Sequence, residues 1–247
     1  MILPQWDLSG KVALVTGGGS ALGRAAALAL ANAGADVAVA CRSSANAEAT
    51  AEAVRQSGRR STATVADTSD PAAAARIVKD TVDAFGRIDI LVNAQESAFA
   101  KPVSEISPEE WRKILDSNLS SAFFSCQAAI PQMLSQGKGK IINLVSGMAE
   151  RGIAQSSTYA ASKAGLIALT RSLAIELVRQ GINVNAVGVG WFEGQGFDTT
   201  PLHRFIPMRR PGKPDEIGGV VHYLAAPASD IVTGEIIYVE GGVLAHG

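Results

Sequence analysis

The chain has 247 residues, of which 47% are hydrophobic and 18% charged. That is enough apolar material for a sizeable core, and open α/β folds of this length often stay a single domain. The formal net charge of −1, from 22 basic and 23 acidic residues without a basic run, gives no electrostatic case for nucleic acid or an anionic membrane surface. Two cysteines, Cys41 and Cys126, lie far apart and form no CxxC pair, so neither a disulfide framework nor a zinc site is expected. The stretch from Met1 to Asp7 lacks the basic and apolar regions of a signal peptide. The most apolar segment, 25–41, is interrupted by Asn32, Gly34 and Asp36 and does not read as a membrane span. A reducing cytoplasm is the expected location.

In chain order, short apolar runs alternate with longer amphipathic segments, which predicts a parallel sheet covered on both faces. Strands are expected over 11–16 (KVALVT), 36–41 (DVAVAC), 62–66, 89–92 (DILV), 140–145 (KIINLV), 182–187 and 235–239. The first helix runs over 21–33 with Gly34 placed to end it, and the second over 46–57. Asp70 caps a third helix that begins at Pro71 and reaches Phe85. Ser107-Pro108-Glu109-Glu110 is a capping box opening a long helix towards Met133. Further helices are expected over 157–179 and 213–224. The irregular stretch 188–212, rich in Gly, Pro and aromatic residues, reads as a substrate-binding loop, because loops this long inside a domain are usually functional.

Thr16-Gly17-Gly18-Gly19-Ser20-Ala21-Leu22-Gly23 joins the first strand to the first helix. In a βαβ unit such a turn lets backbone N–H groups and the helix N-terminus meet a pyrophosphate, and glycines permit the close approach. A Gly-rich turn alone is a weak signal; the strand before it and the Ala-rich helix after it strengthen it. The spacing TGxxx(G)xG resembles the short-chain dehydrogenase/reductase family. The family's middle glycine is Ala21 here, a methyl group that is either tolerated or pushes a cofactor outward.

The resemblance covers nearly the whole chain, and is nearest the 3-oxoacyl-carrier-protein reductase and sugar-acid dehydrogenase type. It extends through Asn183-Val184-Asn185-Ala186-Val187, the segment from Arg210 to Ile217, and Glu240-Gly241-Gly242. It implies an α/β fold: one doubly wound Rossmann-type domain over 1–247, with a seven-stranded, mainly parallel sheet in the order 3-2-1-4-5-6-7. It also implies a nicotinamide cofactor held by Gly17, Gly19, Ser20, Leu22, Gly23, Asp67, Asn93, Lys163 and Gly190. At the end of the second strand an acid would select NAD by accepting from the ribose 2′-hydroxyl. Cys41-Arg42 stands there instead, and a guanidinium suits a 2′-phosphate. NADP(H) is therefore favoured and NAD(H) remains possible; Arg42 as a solvated surface charge is the bland alternative. Asp67 resembles the family's adenine-contacting acid and is equally readable as a turn residue.

Tyr159-Ala160-Ala161-Ser162-Lys163 places a phenol and an ammonium on one helix face. Reducing a carbonyl with hydride needs a proton donor at oxygen, and the reverse needs a base. A free phenol with a pKa near ~10 is a poor base at neutral pH. A cation about 4 Å away, at an effective dielectric near 20, favours the phenolate by about 4 kcal/mol, or roughly three pH units before desolvation takes some back. YxxxK alone occurs by chance. Ser146, thirteen residues earlier at a strand end, and Asn118 in Asp116-Ser117-Asn118-Leu119-Ser120 complete the family's catalytic tetrad. By resemblance, Ser146 bonds the substrate oxygen, Asn118 anchors a water that links Lys163 to solvent, and Lys163 holds the nicotinamide ribose.

Further departures cluster around the expected cofactor. The family's Asn-Asn-Ala-Gly aligns with Asn93-Ala94-Gln95-Glu96, its Pro-Gly with Val189-Gly190, and its carboxamide-holding threonine with Gly194. The expectation for Glu96 is that the turn is rebuilt and the carboxylate points to water, as charged side chains usually do. The competing reading turns it to the nicotinamide, where it favours the cationic oxidised ring. A third reading is a scaffold that binds cofactor poorly.

Two functions follow as rivals: an oxidoreductase of secondary alcohols or ketones acting on a small molecule, and a non-redox binding, regulatory or Ser/Tyr-assisted protein. Trp191, Phe192, Phe197 and Met148 are candidates for an apolar pocket, or for lid or subunit packing. Glu150 and Arg151 read as a solvated pair, with contact to a polar substrate as the alternative. Among the histidines, His203 is placed to touch substrate, whereas His222 and His246 have no evident partner, and no metal-ligand spacing appears. The family usually forms homotetramers across the helices at 107–133 and 157–179, and the small residues Ala160, Ala161, Ala164, Gly165 and Ala168 suit such packing or packing within the subunit. Val243 to Gly247 is a candidate for a second interface.

Overall fold

Strands buried on both faces organise the sheet. The computed structural model describes residues 3–195 and 200–245. Its strands are β1 Val12–Thr16, β2 Asp36–Cys41, β3 Ser61–Val65, β4 Ile90–Asn93, β5 Gly139–Ser146, β6 Ile182–Val189 and β7 Ile236–Val239. They form one sheet in the order β3-β2-β1-β4-β5-β6-β7, with every neighbouring pair parallel. Every residue of β1, β4, β5 and β6 is buried, as a parallel sheet covered on two faces requires. Successive β1 side chains enter different cores: Ala13 and Val15 one, Leu14 the other.

The helices are α1 Ala21–Asn32, α2 Ser44–Gln56, α3 Pro71–Phe85, α4 Pro108–Leu115, α5 Ser121–Gln136, α6 Met148–Arg151, α7 Ser157–Leu177 and α8 Gly218–Ala225. Leu22, Ala26 and Leu30 of α1, Ala51 and Val54 of α2 and Val221 and Leu224 of α8 close the first core. Ile77 of α3, Ala129 and Met133 of α5 and Leu177 of α7 close the second. Asp70 caps α3 ahead of Pro71, and Ser107 with Glu110 forms the expected capping box. Among the described residues no helix is long and apolar enough to cross a membrane.

Three expectations need correction. The long helix after Ser107 divides into α4 and α5 around a π-turn, Asp116–Ser120, where the Ser121 N–H bonds Asp116 O five residues back. The helix expected over 213–224 begins as a 3-10 turn, Pro214–Ile217, before α8. Strand β6 continues two residues into the expected loop, because Gly188 and Val189 pair with Tyr238 and Val239. After β3 at one edge the chain returns to place β4 on the other side of β1. The resulting reversal opens a crevice at the carboxyl ends of β1 and β4, the place where open α/β sheets bind ligands.

Candidate active site

The turn after β1 is built by glycines that no other residue can replace in this packing. Gly17 has φ +67°, and a Cβ there would stand 2.4 Å from the backbone of Ala94 and Gln95. At Gly19 it would meet Cys41 Sγ at 2.6 Å, and at Gly23 the Gly17 carbonyl at 2.2 Å. Ser20 caps α1: its Oγ accepts from Gly23 N at 3.0 Å and donates to Gly17 O at 2.9 Å. Arg24 N bonds Ser20 O. Of the first four N–H groups of the helix, those of Ala21 and Leu22 thus keep no partner among the described residues, and they are the chain's donors for an anion. They border a groove of about 850 Å³ whose walls include Asn46, Ala94, Glu96 and Gly194. Ser20's hydroxyl is already used inside the turn.

Two of the departures from the family face each other. Gly194 has φ +77°, and a side chain there would start 3.1 Å from the Ala21 methyl. The methyl that the turn gained at position 21 faces the side chain that the loop lacks at 194.

Beyond the end of β2, Arg42 lines a separate recess with Asp67, Glu109, Arg112, Lys113 and Asp116. Asp67 Oδ1 accepts from Ser69 N at 3.1 Å, Ser69 Oγ at 2.8 Å and Gln95 Nε2 at 3.0 Å. Burial raises the Asp67 pKa, but those bonds and the Arg42 charge outweigh it and hold the carboxyl below its ordinary value. Gln95 also accepts from Thr68 Oγ1 at 2.9 Å. The amide that replaces the family's alanine is therefore a buried brace between β4 and the loop after β3. Asn93 does not offer its side chain to the groove. Nδ2 donates to Asn143 Oδ1 at 2.9 Å and Oδ1 accepts from Thr16 Oγ1, in a buried network tying β1, β4 and β5.

Tyr159 and Lys163 lie one turn apart on α7, and Ser146 ends β5. Both α7 side chains are inside the protein, Tyr159 with 7% and Lys163 with 1% of its surface exposed. Lys163 Nζ donates to Leu144 O at 2.9 Å and lies 5.6 Å from the centre of the Tyr159 ring. Glu96 reverses the expectation of a solvent-facing carboxylate. Its Oε2 accepts from Tyr159 Oη at 3.1 Å and stands 3.2 Å from Lys163 Nζ. The inward turn satisfies two buried donors at once. The expectation that Lys163 draws the Tyr159 pKa towards neutrality also fails for the unliganded protein. Burial first, then the Glu96 charge, push it well above its ordinary value, against a smaller opposing hydrogen bond with Ser146.

Asn118 comes near this centre without touching Lys163. Its Oδ1 accepts from Ser97 N at 2.7 Å, and its Nδ2 donates to Ser97 O at 2.9 Å and Ser162 Oγ at 3.0 Å. Its side chain clamps the residue after Glu96 onto the π-turn. The sequence carried a signal for this, Ser97 following a charged departure, but not its direction.

Beside Ser146 is an apolar pocket walled by Met148, Ile153, Trp191, Val243 and Leu244. Leu244 reaches Gly147, so Val243 and Leu244 serve the pocket wall, a role the sequence did not reveal. Phe192 is not a pocket wall beside Ser146 but core, 1% exposed, its ring against Gly212. Phe197 and His246 lie outside the described residues. Glu150 and Arg151 do not pair: Glu150 accepts from Tyr238 Oη at 2.7 Å and Arg151 donates to Val243 O at 2.8 Å. His222 has a partner after all, the Trp6 carbonyl at 2.6 Å.

The family model described as Enoyl-(Acyl carrier protein) reductase matches residues 17–244. A 3-oxoacyl-[acyl-carrier-protein] reductase from Synechocystis is 35% identical over 243 residues, covering 96% of this chain and 98% of that protein. A 2-dehydro-3-deoxy-D-gluconate 5-dehydrogenase from Dickeya dadantii is 37% identical over 256 residues, covering all of both chains. Among solved structures, a gluconate 5-dehydrogenase from Burkholderia cenocepacia in complex with NADP and tartrate superposes with a TM-score of 0.93 at 30% identity, over 99% of each chain. With the sheet order, the glycine turn and the Tyr159–Lys163 pair in place, the chain belongs to the short-chain dehydrogenase/reductase family.

Proposed function

We propose that the chain is an NADP(H)-linked oxidoreductase that interconverts a secondary alcohol and a ketone, with Tyr159 as general acid/base. The observation that carries this is the convergence of Tyr159, Lys163 and Ser146 beside Glu96, which with Leu144 of β5 lines the groove at the start of α1. When bound, the dinucleotide supplies or accepts the hydride. Gly17, Gly19, Ser20 and Gly23 shape the turn for its pyrophosphate, and the N–H groups of Ala21 and Leu22 meet the phosphate charge. Asn93 contributes only by fixing the strand ends, and Gly190 by its closeness to Glu240, where a Cβ would stand 2.8 Å from that side chain. Lys163 has three N–H donors; Leu144 O and Glu96 take two, leaving one for a ribose hydroxyl. Ser146 holds the substrate oxygen beside Tyr159. The substrate-binding loop is the segment after β6, which gives Trp191 to the wall of the apolar pocket.

Arg42 just after β2, with a guanidinium that suits a 2′-phosphate, supports NADP(H) over NAD(H); the recess it lines balances Arg112 and Lys113 against Asp67, Glu109 and Asp116. The cytoplasm as location and a homotetramer as assembly belong to the same proposal. A cofactor-impaired, non-redox protein is the second possibility, favoured by Glu96 on Lys163 and by Gln95 beneath the groove. Fluorescence titration with NADPH and NADH separates the two. Micromolar binding, tighter for NADPH, is expected; binding of neither would favour the non-redox protein.

A further inference from the structure

The proton-transfer centre contains one group more than a tyrosine, a lysine and a serine. Glu96 bonds Tyr159 Oη and pairs with Lys163, and among the described residues these are the titratable or charged groups in contact with its carboxylate. The three differ in access to water. Tyr159 and Lys163 are buried, whereas the Glu96 side chain keeps 28% of its surface exposed. Its place is fixed by the neighbouring residue: the Ser97 backbone N–H donates to and its C=O accepts from the Asn118 side-chain amide, and Ser97 Oγ accepts from Ser117 Oγ at 3.0 Å. A carboxylate held by its backbone, bonded to the Tyr159 hydroxyl and partly exposed, connects that hydroxyl to solvent.

We propose that Glu96 is the proton-relay carboxylate of this enzyme, taking the Tyr159 hydroxyl proton during alcohol oxidation and returning it during carbonyl reduction. The proposal rests on the oxidoreductase function above. In oxidation the alcohol O–H bond breaks and its proton goes to Tyr159 Oη as Tyr159's own proton moves to Glu96 Oε2. The carbinol C–H bond breaks with its electron pair leaving as hydride to the oxidised nicotinamide dinucleotide, the co-reactant. Glu96 then releases its proton to water, so the alcohol yields a ketone, a reduced dinucleotide and one proton. Reduction runs these transfers backwards. Burial and the Glu96 charge keep the Tyr159 hydroxyl protonated well past its ordinary pKa. A phenol so held gives up one proton only as it gains another, which a bonded carboxylate permits. Lys163 offsets the carboxylate's charge.

Two measurements test this, with Glu96→Gln, Glu96→Ala and Tyr159→Phe. The first is a spectrophotometric titration of the unliganded protein, taking Tyr159 as the difference from Tyr159→Phe. Tyr159 is expected to ionise at lower pH in Glu96→Gln than in the wild type, and equal midpoints would overturn the coupling. The second is alcohol oxidation: Glu96→Gln is expected to lose about 10²-fold in kcat with little change in KM. Added formate should restore Glu96→Ala in a dose-dependent way. Turnover equal to or above wild type in Glu96→Gln would make Glu96 a mere occupant of the groove and overturn the relay. If Tyr159→Phe keeps its turnover, the acid/base function of Tyr159 itself fails; if it loses turnover while Glu96→Gln does not, only the relay fails.

Discussion

Ala21 and Gly194 form a steric pair: a methyl faces a residue whose positive φ suits glycine. Gly194→Thr is expected to destabilise the protein by about 1–3 kcal/mol from backbone strain and contact with Ala21. In a double-mutant cycle with Ala21→Gly, the contact part should return as a coupling of about 0.5 kcal/mol or more. Strictly additive unfolding energies would show that the two positions are independent. Single residues were also where sequence reading went furthest and failed most clearly. The i,i+4 spacing of Tyr159 and Lys163 put them on one helix face, and Ser146 was placed beside them by the family's spacing. Glu96 was misdirected because the tendency of charges to find water is a statistical preference, and two buried donors at Tyr159 and Lys163 outweigh it. Asn93 was expected to bind cofactor and Asn118 to complete the tetrad, but their amides are taken by backbone and side-chain partners that only the folded chain brings near.

Elements follow the sequence wherever local signals suffice. Asp70 before Pro71 and the Ser107–Glu110 box start their helices where expected. The π-turn at Asp116–Ser120 was not legible, because its clamp at Ser97 comes from a distant loop. Strand β2 begins at Asp36, which binds Arg60 through N and Nε at 3.0 and 2.9 Å and Arg59 at 2.9 Å. Burial raises the Asp36 pKa, but the Arg60 bonds and the two guanidinium charges outweigh it, leaving it below its ordinary 3.8. A depressed carboxyl adds stability above its unfolded pKa and loses it as pH falls through the folded value. The difference in urea midpoint between wild type and Arg60→Ala should therefore be largest at neutral pH, and shrink below about pH 4 and in high salt. A difference that persists undiminished in acid would assign it to packing, such as the Arg60 stack on Phe85.

At the scale of the molecule, alternating strand and helix signals sufficed for a parallel sheet covered on both faces, whereas the strand order came from the family resemblance. The pocket wall did not follow, since Leu244 meets Gly147 only through folding. The α7 surface carries Ala161, Ala164 and Ala168 exposed in register, with Ile175 80% exposed further along the helix. Trp111 of α4 and Phe123 of α5 are also exposed apolar residues. Such faces fit the proposed homotetramer. Sedimentation is expected to give a tetramer, and a monomer alone would refute that assembly.

The central claim is that a proton moves at the Tyr159 hydroxyl while hydride moves at the neighbouring carbon. Hydride transfer by Tyr159→Phe, followed by nicotinamide absorbance across a panel of secondary alcohols and ketones, tests it most directly. The predicted result is a loss of about 10²-fold or more in kcat, with dinucleotide binding retained. Wild-type turnover from that variant would contradict the claim.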